Sequence, residues 1–412
     1  MKALILAGGY GTRLHPLTLR TAKCVLPVGD KPNIAHIIEK LKSAGIDEII
    51  LSFNTNQERF QRFLGDGSKF GVKITYVMER TTDDSNKLGA VGAIKYVVDK
   101  AGLDDYLVIG ADNYFEGLDI NKLLDFHRNG GANVTLGLYY VEDEHMVERL
   151  GIAVIKGNRI IGFQEKPKIE EAKSRLASIL VYAISRTFLE KSLPAYLKDM
   201  AAHNKKPDNP GEMWSYFVQK LKINGFIFKG YWTDIGSNMT YYIDANAKAL
   251  AGIKHRIAKS AKIGEGARLS ETGLVIGENT IIEDGATIRG PVIIGDNCVV
   301  KSGSVIGPNT IMLNNTMIGE RSTIDGSILF DGVRVGSGVK IKRAIVDGEV
   351  HIENNAKVEQ HAIMGHGSKL CEGAKLSFES RVWPGISISK NSIVSGSVMG
   401  SNDFINSCYW EQ

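Results

Sequence analysis

Cysteine is scarce and scattered. The four residues, Cys24, Cys298, Cys371 and Cys408, lie far apart and form no C-x-x-C pair. That excludes a zinc-ligand spacing and a disulfide framework, and makes a reducing cytoplasmic setting the expected one. Long apolar runs are missing too: none approaches the roughly 18 residues that a membrane-spanning helix needs. Charge of one sign is not in excess. Lys and Arg number 50 against 46 Asp and Glu, a net +4. With no basic run, this predicts neither nucleic-acid nor membrane binding. The chain starts directly on strand-like Lys2-Ala3-Leu4-Ile5-Leu6, without the pattern of a secretory leader. What is present is ordinary globular composition, 43% hydrophobic over 412 residues, enough chain for two or three domains.

Residues 1–250 alternate strand-like and helix-like segments. Strands are predicted at 2–6, 48–53, 72–77, 106–110, 132–139, 152–156, 159–163 and 225–229. Helices are predicted at 33–44, 56–64, 89–100, 120–129, 187–198, 213–221 and 238–250. In the first helix Ile34, Ile37, Ile38 and Leu41 share one face and Gly45 ends it. Such alternation predicts a Rossmann-like α/β domain, a mostly parallel sheet with helices on both faces.

Beyond residue 250 the pattern changes. Apolar residues recur every six positions from Ile276 through Ile282, Ile288, Ile294, Val300, Ile306, Met312, Ile318 and Ile324 to Phe330. The register slips back by one at Val335 and again at Val346, then keeps its six-residue step from Ile352 to Val394. A period of six fits neither helix nor ordinary strand. It fits a parallel β-helix of hexapeptide repeats, in which three hexads make one triangular coil. Residues 255–396 then make roughly seven to eight coils. The expected domains are 1–252, 253–400 and a C-terminal cap, 401–412, bearing Phe404, Cys408, Tyr409 and Trp410.

The first strand runs into Leu6-Ala7-Gly8-Gly9-Tyr10-Gly11-Thr12-Arg13-Leu14, followed by Lys23. Closely spaced glycines let backbone amides approach a ligand, and consecutive amides form an anion-binding concavity. Arg13 and Lys23 add fixed positive charge, as a triphosphate requires. The string is neither a Walker loop nor a G-x-G-x-x-G fingerprint. Two carboxylates stand where strands end, Asp112 in Gly110-Ala111-Asp112-Asn113 and Asp234 in Thr233-Asp234-Ile235-Gly236. Each reads either as a turn residue or as a ligand for Mg²⁺, a hard cation usually held by one or two carboxylates plus phosphates.

The whole string at 6–18, then Lys23-Cys24-Val25-Leu26-Pro27-Val28, resembles the signature of sugar-1-phosphate nucleotidylyltransferases. These are the NDP-sugar pyrophosphorylases that make dTDP-glucose, UDP-glucose, ADP-glucose and GDP-mannose. The resemblance implies a reaction of nucleoside triphosphate and sugar 1-phosphate to NDP-sugar and pyrophosphate, with Mg²⁺ as cofactor. It assigns the nucleotide to Leu6, Ala7, Gly8, Gly9, Gly11, Thr12, Arg13 and Gly89, and the metal to Asp112 and Asp234. Arg13, Lys23 and Lys166 become the catalytic cations. Gly151, Glu165, Lys166 and Ser178 would hold the sugar phosphate; Glu165-Lys166-Pro167 resembles the family's Glu-Lys-Pro motif. The repeats imply a left-handed β-helix and a homo-oligomer, a trimer or a multiple, formed through it.

The sequence departs from the family pattern at Ala22, where proline is usual, and at Ala111, where glycine often precedes the aspartate. It departs again in Ser178-Ile179-Leu180-Val181-Tyr182, where the family reads Asn-x-Gly-x-Tyr; Leu180 should shrink the pocket on the sugar side. His351, His361 and His366 admit a second activity, acyl transfer on the β-helix, but no inserted loop breaks the hexads beside them, so they read as structural, as do Cys298 and Cys371. A non-catalytic NDP-sugar-binding subunit is the third reading. The base stays open among guanine, uracil and thymine. Guanine wants acceptors; Glu79, Asp83 and Asp84 are near in sequence but read as a solvated loop, and Val382-Trp383-Pro384-Gly385 looks like segments of GDP-mannose-type members.

Overall fold

A computed structural model describes residues 1–54, 59–79, 88–206 and 208–400. Two compact units emerge. One comprises Met1–Tyr10, Lys23–Val25 and Asn33–Asp234; the other comprises Gly11–Ala22, Leu26–Pro32 and the chain from Ile235 onward.

The first unit is built on a nine-stranded sheet. Its order is Lys73–Glu79, Glu48–Asn54, Lys2–Leu6, Tyr106–Gly110, Leu176–Ile184, Val134–Tyr140, Ile223–Ile227, Arg159–Glu165 and Gly151–Lys156. The first four run parallel, as the alternating pattern predicts. The sheet as a whole is mixed, because Leu176–Ile184 pairs antiparallel with three neighbours and Arg159–Glu165 pairs antiparallel with two. Leu176–Ile184 itself escapes the sequence reading: its register breaks between Ser178 and Tyr182, which interrupts the alternation that marks a strand. A separate two-stranded ribbon, Asn113–Glu116 with Tyr231–Asp234, is also unread in the sequence. It is too short for a periodic signal.

Ala3, Leu4 and Ile5 of the first strand are fully buried. Helix Asn33–Ser43 buries Ile34, Ile37, Ile38 and Leu41, the face its spacing predicts. Helix Pro210–Phe217 starts three residues before its apolar pattern, because the Asn209 side chain accepts from the Gly211 amide and Pro210 suits the first turn. Lys2–Leu6 has its sequence neighbour on one side and Tyr106–Gly110 on the other. That is the topological switch point, where open α/β sheets leave a crevice beyond the strand ends.

The second unit carries three parallel sheets of nine, eight and eight two- to three-residue strands, from Arg256–Ile257 to Ser397–Val398. Eight full coils and one final strand follow from those counts. Inward residues such as Ile276, Ile294, Met312, Ile318, Ile352 and Leu370 are fully buried. Each contributes about 1.5–3 kcal/mol of apolar burial. Equivalent residues are 18 apart in Ile276↔Ile294 but 17 apart in Met312↔Leu329. The first slip therefore falls in the turn before Leu329, and Leu329 rather than Phe330 takes the inward position. Phe330 is also apolar and buried, so the sequence alone does not separate them.

His361 occupies a left-handed turn (φ 62°) with its ring 5.3 Å from Phe378, and Cys298 is fully buried with its thiol pushed up to about 11 by burial. No inserted loop interrupts the coils between Arg256 and Val398. Within this unit the segment Gly11–Ala22 is tied down: Arg381 donates to the His15 carbonyl at 2.8 Å. Burial, then Arg381, lowers the His15 imidazole to about 4. The predicted cap, 401–412, lies outside the described residues, as do Asp83 and Asp84.

Candidate active site

The crevice at the switch point holds a cavity of about 220 Å³. Its lining includes Leu6, Ala7, Gly8 and Gly9 of the glycine turn, Gly89 and Ala90 of the helix start, and Lys23, Asp112, Leu180 and Glu79. Seven of the residues that the sequence assigns to nucleotide, catalysis or metal are thus gathered at one place: Leu6, Ala7, Gly8, Gly9, Lys23, Gly89 and Asp112.

The strand ends set this geometry. Parallel pairing carries Leu6 beside Ser52 and Gly110, and the Ala7 amide continues the ladder to the Ser52 carbonyl at 2.8 Å. Asn54 donates to the Gly8 carbonyl at 3.0 Å and fixes the turn. Across the crevice Asn33 donates to the carbonyls of Ala111 and Asn113, at 2.9 and 3.0 Å, clamping the backbone on both sides of Asp112. Asn113 accepts from the Trp232 indole at 2.8 Å and pairs with Asp234 in the ribbon. The ribbon thereby brings Asp234 to Asp112.

Lys23 and Asp112 form a hydrogen-bonded ion pair, their side chains 16% and 24% exposed. Burial opposes the Lys23 charge, but Asp112 and Asp234 outweigh it and hold its pKa above the usual value. Burial likewise opposes the Asp112 charge. The Lys23 ammonium and a hydrogen bond with Asp234 outweigh it and keep Asp112 below the usual carboxylate range. Among the described residues no group of three or more His, Cys, Asp or Glu side chains converges. Two carboxylates suit a divalent cation completed by substrate phosphates, not an all-protein cage.

A second cluster adjoins the first. Gly151 pairs with Glu165, and a Cβ on Gly151 would stand 2.6 Å from the Phe163 ring and 3.0 Å from Glu165 Oε2. Glu165 accepts from Asn209 at 3.0 Å and lies 3.6 Å from Lys166 Nζ. Lys166 itself has φ 47° and is about half exposed. Ser178 donates to the Tyr182 hydroxyl at 3.1 Å. The two clusters meet where Gly89 (φ 64°) packs on Asp208, with no room for a side chain: a Cβ would lie 2.3 Å from that of Asp208. Gly11 (φ 69°), Thr12 and exposed Arg13 lie on the turn of the second unit and do not line the cavity.

Glu79 corrects the reading of a solvated loop. The strand extends two residues past its predicted end, so Glu79 is 4% exposed. It accepts from Ser52 at 2.7 Å, and a Cβ on Gly8 would be 3.0 Å from both its oxygens. Burial raises its pKa, and the Ser52 bond only partly opposes that. Asn33, Asn113 and Asn209 were likewise unread as site residues. Only the Asn209-Pro210 helix start gave a local signal.

A family model described as nucleotidyl transferase matches residues 2–252, and one described as the EIF2B subunit epsilon LbH domain matches residues 277–376. The chain belongs to the nucleotidyl transferase family. The putative mannose-1-phosphate guanyltransferase of Sulfolobus acidocaldarius is 32% identical over 304 residues, 70% of this chain and 74% of the relative. The mannose-1-phosphate guanylyltransferase of Mycobacterium tuberculosis is 29% identical, covering 83% of each chain. A solved putative glucose-1-phosphate thymidylyltransferase from Bacillus anthracis, in complex with a sucrose, aligns with a TM-score of 0.54 at 30% identity. That alignment spans 62% of this chain and 97% of the other. The enzyme is a sugar-1-phosphate nucleotidylyltransferase with a left-handed β-helix, as the motifs imply. No helix among its described residues is long and apolar enough to cross a membrane.

Proposed function

We propose that the enzyme joins GTP and mannose 1-phosphate to give GDP-mannose and pyrophosphate. The observation that carries this reading is Glu79, a buried carboxylate on the wall shared with the glycine turn. Guanine presents N1–H and N2–H side by side, two donors that one carboxylate accepts together. A pyrimidine imide needs a donor beside its acceptor, which an ionised carboxylate lacks. Two relatives that match most of this chain are named for mannose 1-phosphate and guanine.

The amides of Gly8 and Gly9 cradle the triphosphate, and Lys23 neutralises charge that builds on the leaving pyrophosphate. The glycine motif of the sequence assigns Gly11, Thr12 and Arg13 to the triphosphate as well. Asp112 and Asp234 fit Mg²⁺, which would offset phosphate charge at the reacting centre. Lys166 aligns the sugar phosphate, Glu165 and Gly151 grip the sugar, and Ser178 completes that side. A phosphate oxygen of the sugar 1-phosphate is already ionised near neutrality, so in-line attack on the α-phosphorus needs no general base and no covalent enzyme intermediate. A cytoplasmic homo-oligomer joined through the β-helix is part of this reading.

Pyrophosphate release with Mg²⁺, across five nucleoside triphosphates and several sugar 1-phosphates, tests it. Strongest turnover with GTP and mannose 1-phosphate is expected. Strongest turnover with UTP or dTTP would overturn the base assignment, and no turnover with any pair would overturn the reaction. Asn209 supplies a separate check. Asn209→Ala removes a charge-assisted bond to Glu165, so KM for the sugar phosphate should rise about tenfold, with kcat changed far less. Losing the helix cap should also cost about 1 kcal/mol in a thermal melt.

A further inference from the structure

Leu180 adopts a backbone conformation that branched side chains avoid, φ 51°, in the middle of a sheet strand. The strand keeps it there by a local break in register between Ser178 and Tyr182 and by the Asn113 amide, which donates to the Leu180 carbonyl at 3.4 Å. The side chain is half-buried: it packs against the edge of the apolar core on one side and lines the cavity beside Lys23 and Asp112 on the other. The opposite strand is shaped to receive it. Gly110 faces Leu180, and a Cβ at Gly110 would lie 2.7 Å from Leu180 Cδ2. Glycine or asparagine would meet the same backbone demand without strain. Strain retained at a site, with a matching void across from it, points to a function for the side chain.

We propose that Leu180 sets sugar selectivity, excluding 2-acetamido sugar 1-phosphates in favour of those with a plain hydroxyl at C2. The inference rests on the reading of Ser178, two residues back on the same strand, as part of the sugar side, and of Asp112 as facing the centre where the sugar phosphate attacks. In a sugar 1-phosphate the anomeric carbon is one oxygen from phosphorus, and C2 is the next carbon. An apolar wall beside Asp112, on the strand that carries Ser178, therefore meets the C2 substituent first. A hydroxyl passes, while an acetamido group adds three heavy atoms and an amide that the leucine branch neither accommodates nor hydrogen-bonds.

The test compares the wild-type chain with Leu180→Gly and Leu180→Ala. The readout is the ratio of kcat/KM for N-acetylglucosamine 1-phosphate to that for the best plain hexose 1-phosphate. A rise of about tenfold or more in both variants is the expected result, the size a reshaped apolar pocket gives. A rise in the glycine variant alone would assign the effect to backbone relief and overturn the proposal. So would an unchanged ratio, or a shift confined to the preference between GTP and dGTP, which would place the side chain against the ribose. An inactive wild-type chain would instead bring down the underlying reaction, so the two failures are distinguishable.

Discussion

Replacing Lys23 by alanine lowers kcat by about a hundredfold or more. Lys23 is the cation of the described cavity wall, and the carboxylates of Asp112 and Asp234 keep it charged against the cost of burial. Charge accumulates on the departing pyrophosphate only as the bond to the α-phosphorus breaks. A fixed ammonium there stabilises the transition state more than the bound substrates, so the loss should fall on kcat. Removing one such preorganised group costs about 2.7–4 kcal/mol of barrier. Asp112→Asn should have an effect of similar size for the opposite reason: it removes the anion that keeps Lys23 charged and one of the two carboxylates suited to Mg²⁺. Steady-state pyrophosphate release, with a thermal melt to show that each variant folds, decides this. Turnover within threefold of wild type in either variant would sink the assignment.

The two variants also separate ion pairing from catalysis. The pair is mostly buried, so leaving one charge without its partner costs the fold stability. Asp112→Asn keeps the side-chain shape and leaves Lys23 beside Asp234. That remaining carboxylate limits the loss, so the variant should melt somewhat below wild type while its turnover collapses.

The hexad repeat announces its own fold, because each coil repeats one apolar inward position and stacking adds no new rule. Its single misplacement, at Phe330, arose where two adjacent apolar residues compete and only the strand pairing of Leu329 decides. The glycine turn, Lys23, Asp112, Asp234 and Gly89 were legible for a similar reason: each sits at the end of a strand or the start of a helix, where local sequence marks the boundary. Asn113, Asn209 and Glu79 were not. Their partners are Trp232, Glu165 and Ser52, at separations of 119, 44 and 27 residues. No local period connects such residues; the sheet order does. Leu180 is the instructive intermediate. Its identity flagged a departure from the family pattern, but only the backbone shows that the departure is held in a strained conformation against Gly110.

Glu79→Gln should move the base preference from GTP toward UTP or dTTP by about a hundredfold in the ratio of kcat/KM. Glutamine keeps the length of the side chain and replaces one acceptor oxygen by an NH₂ donor. Against guanine, that donor faces the N1–H or N2–H donor, a repulsive contact that also strands a polar group in a buried wall. Against a pyrimidine imide, the same amide matches the carbonyl with its NH₂ and N–H with its oxygen. Specificity changes because one partner gains what the other loses, and sites that match buried hydrogen bonds discriminate far more strongly than apolar ones. Burial raises the pKa of Glu79, so it takes up a proton at a higher pH than an ordinary carboxylate as the medium is acidified. The protonated form has lost an acceptor, and KM for GTP should rise on that acid limb. The glutamine variant, which does not titrate, should lack the limb. Initial rates with GTP and UTP across pH, for both proteins, contain the decision. A preference ratio that stays within twofold of wild type would remove Glu79 from base recognition.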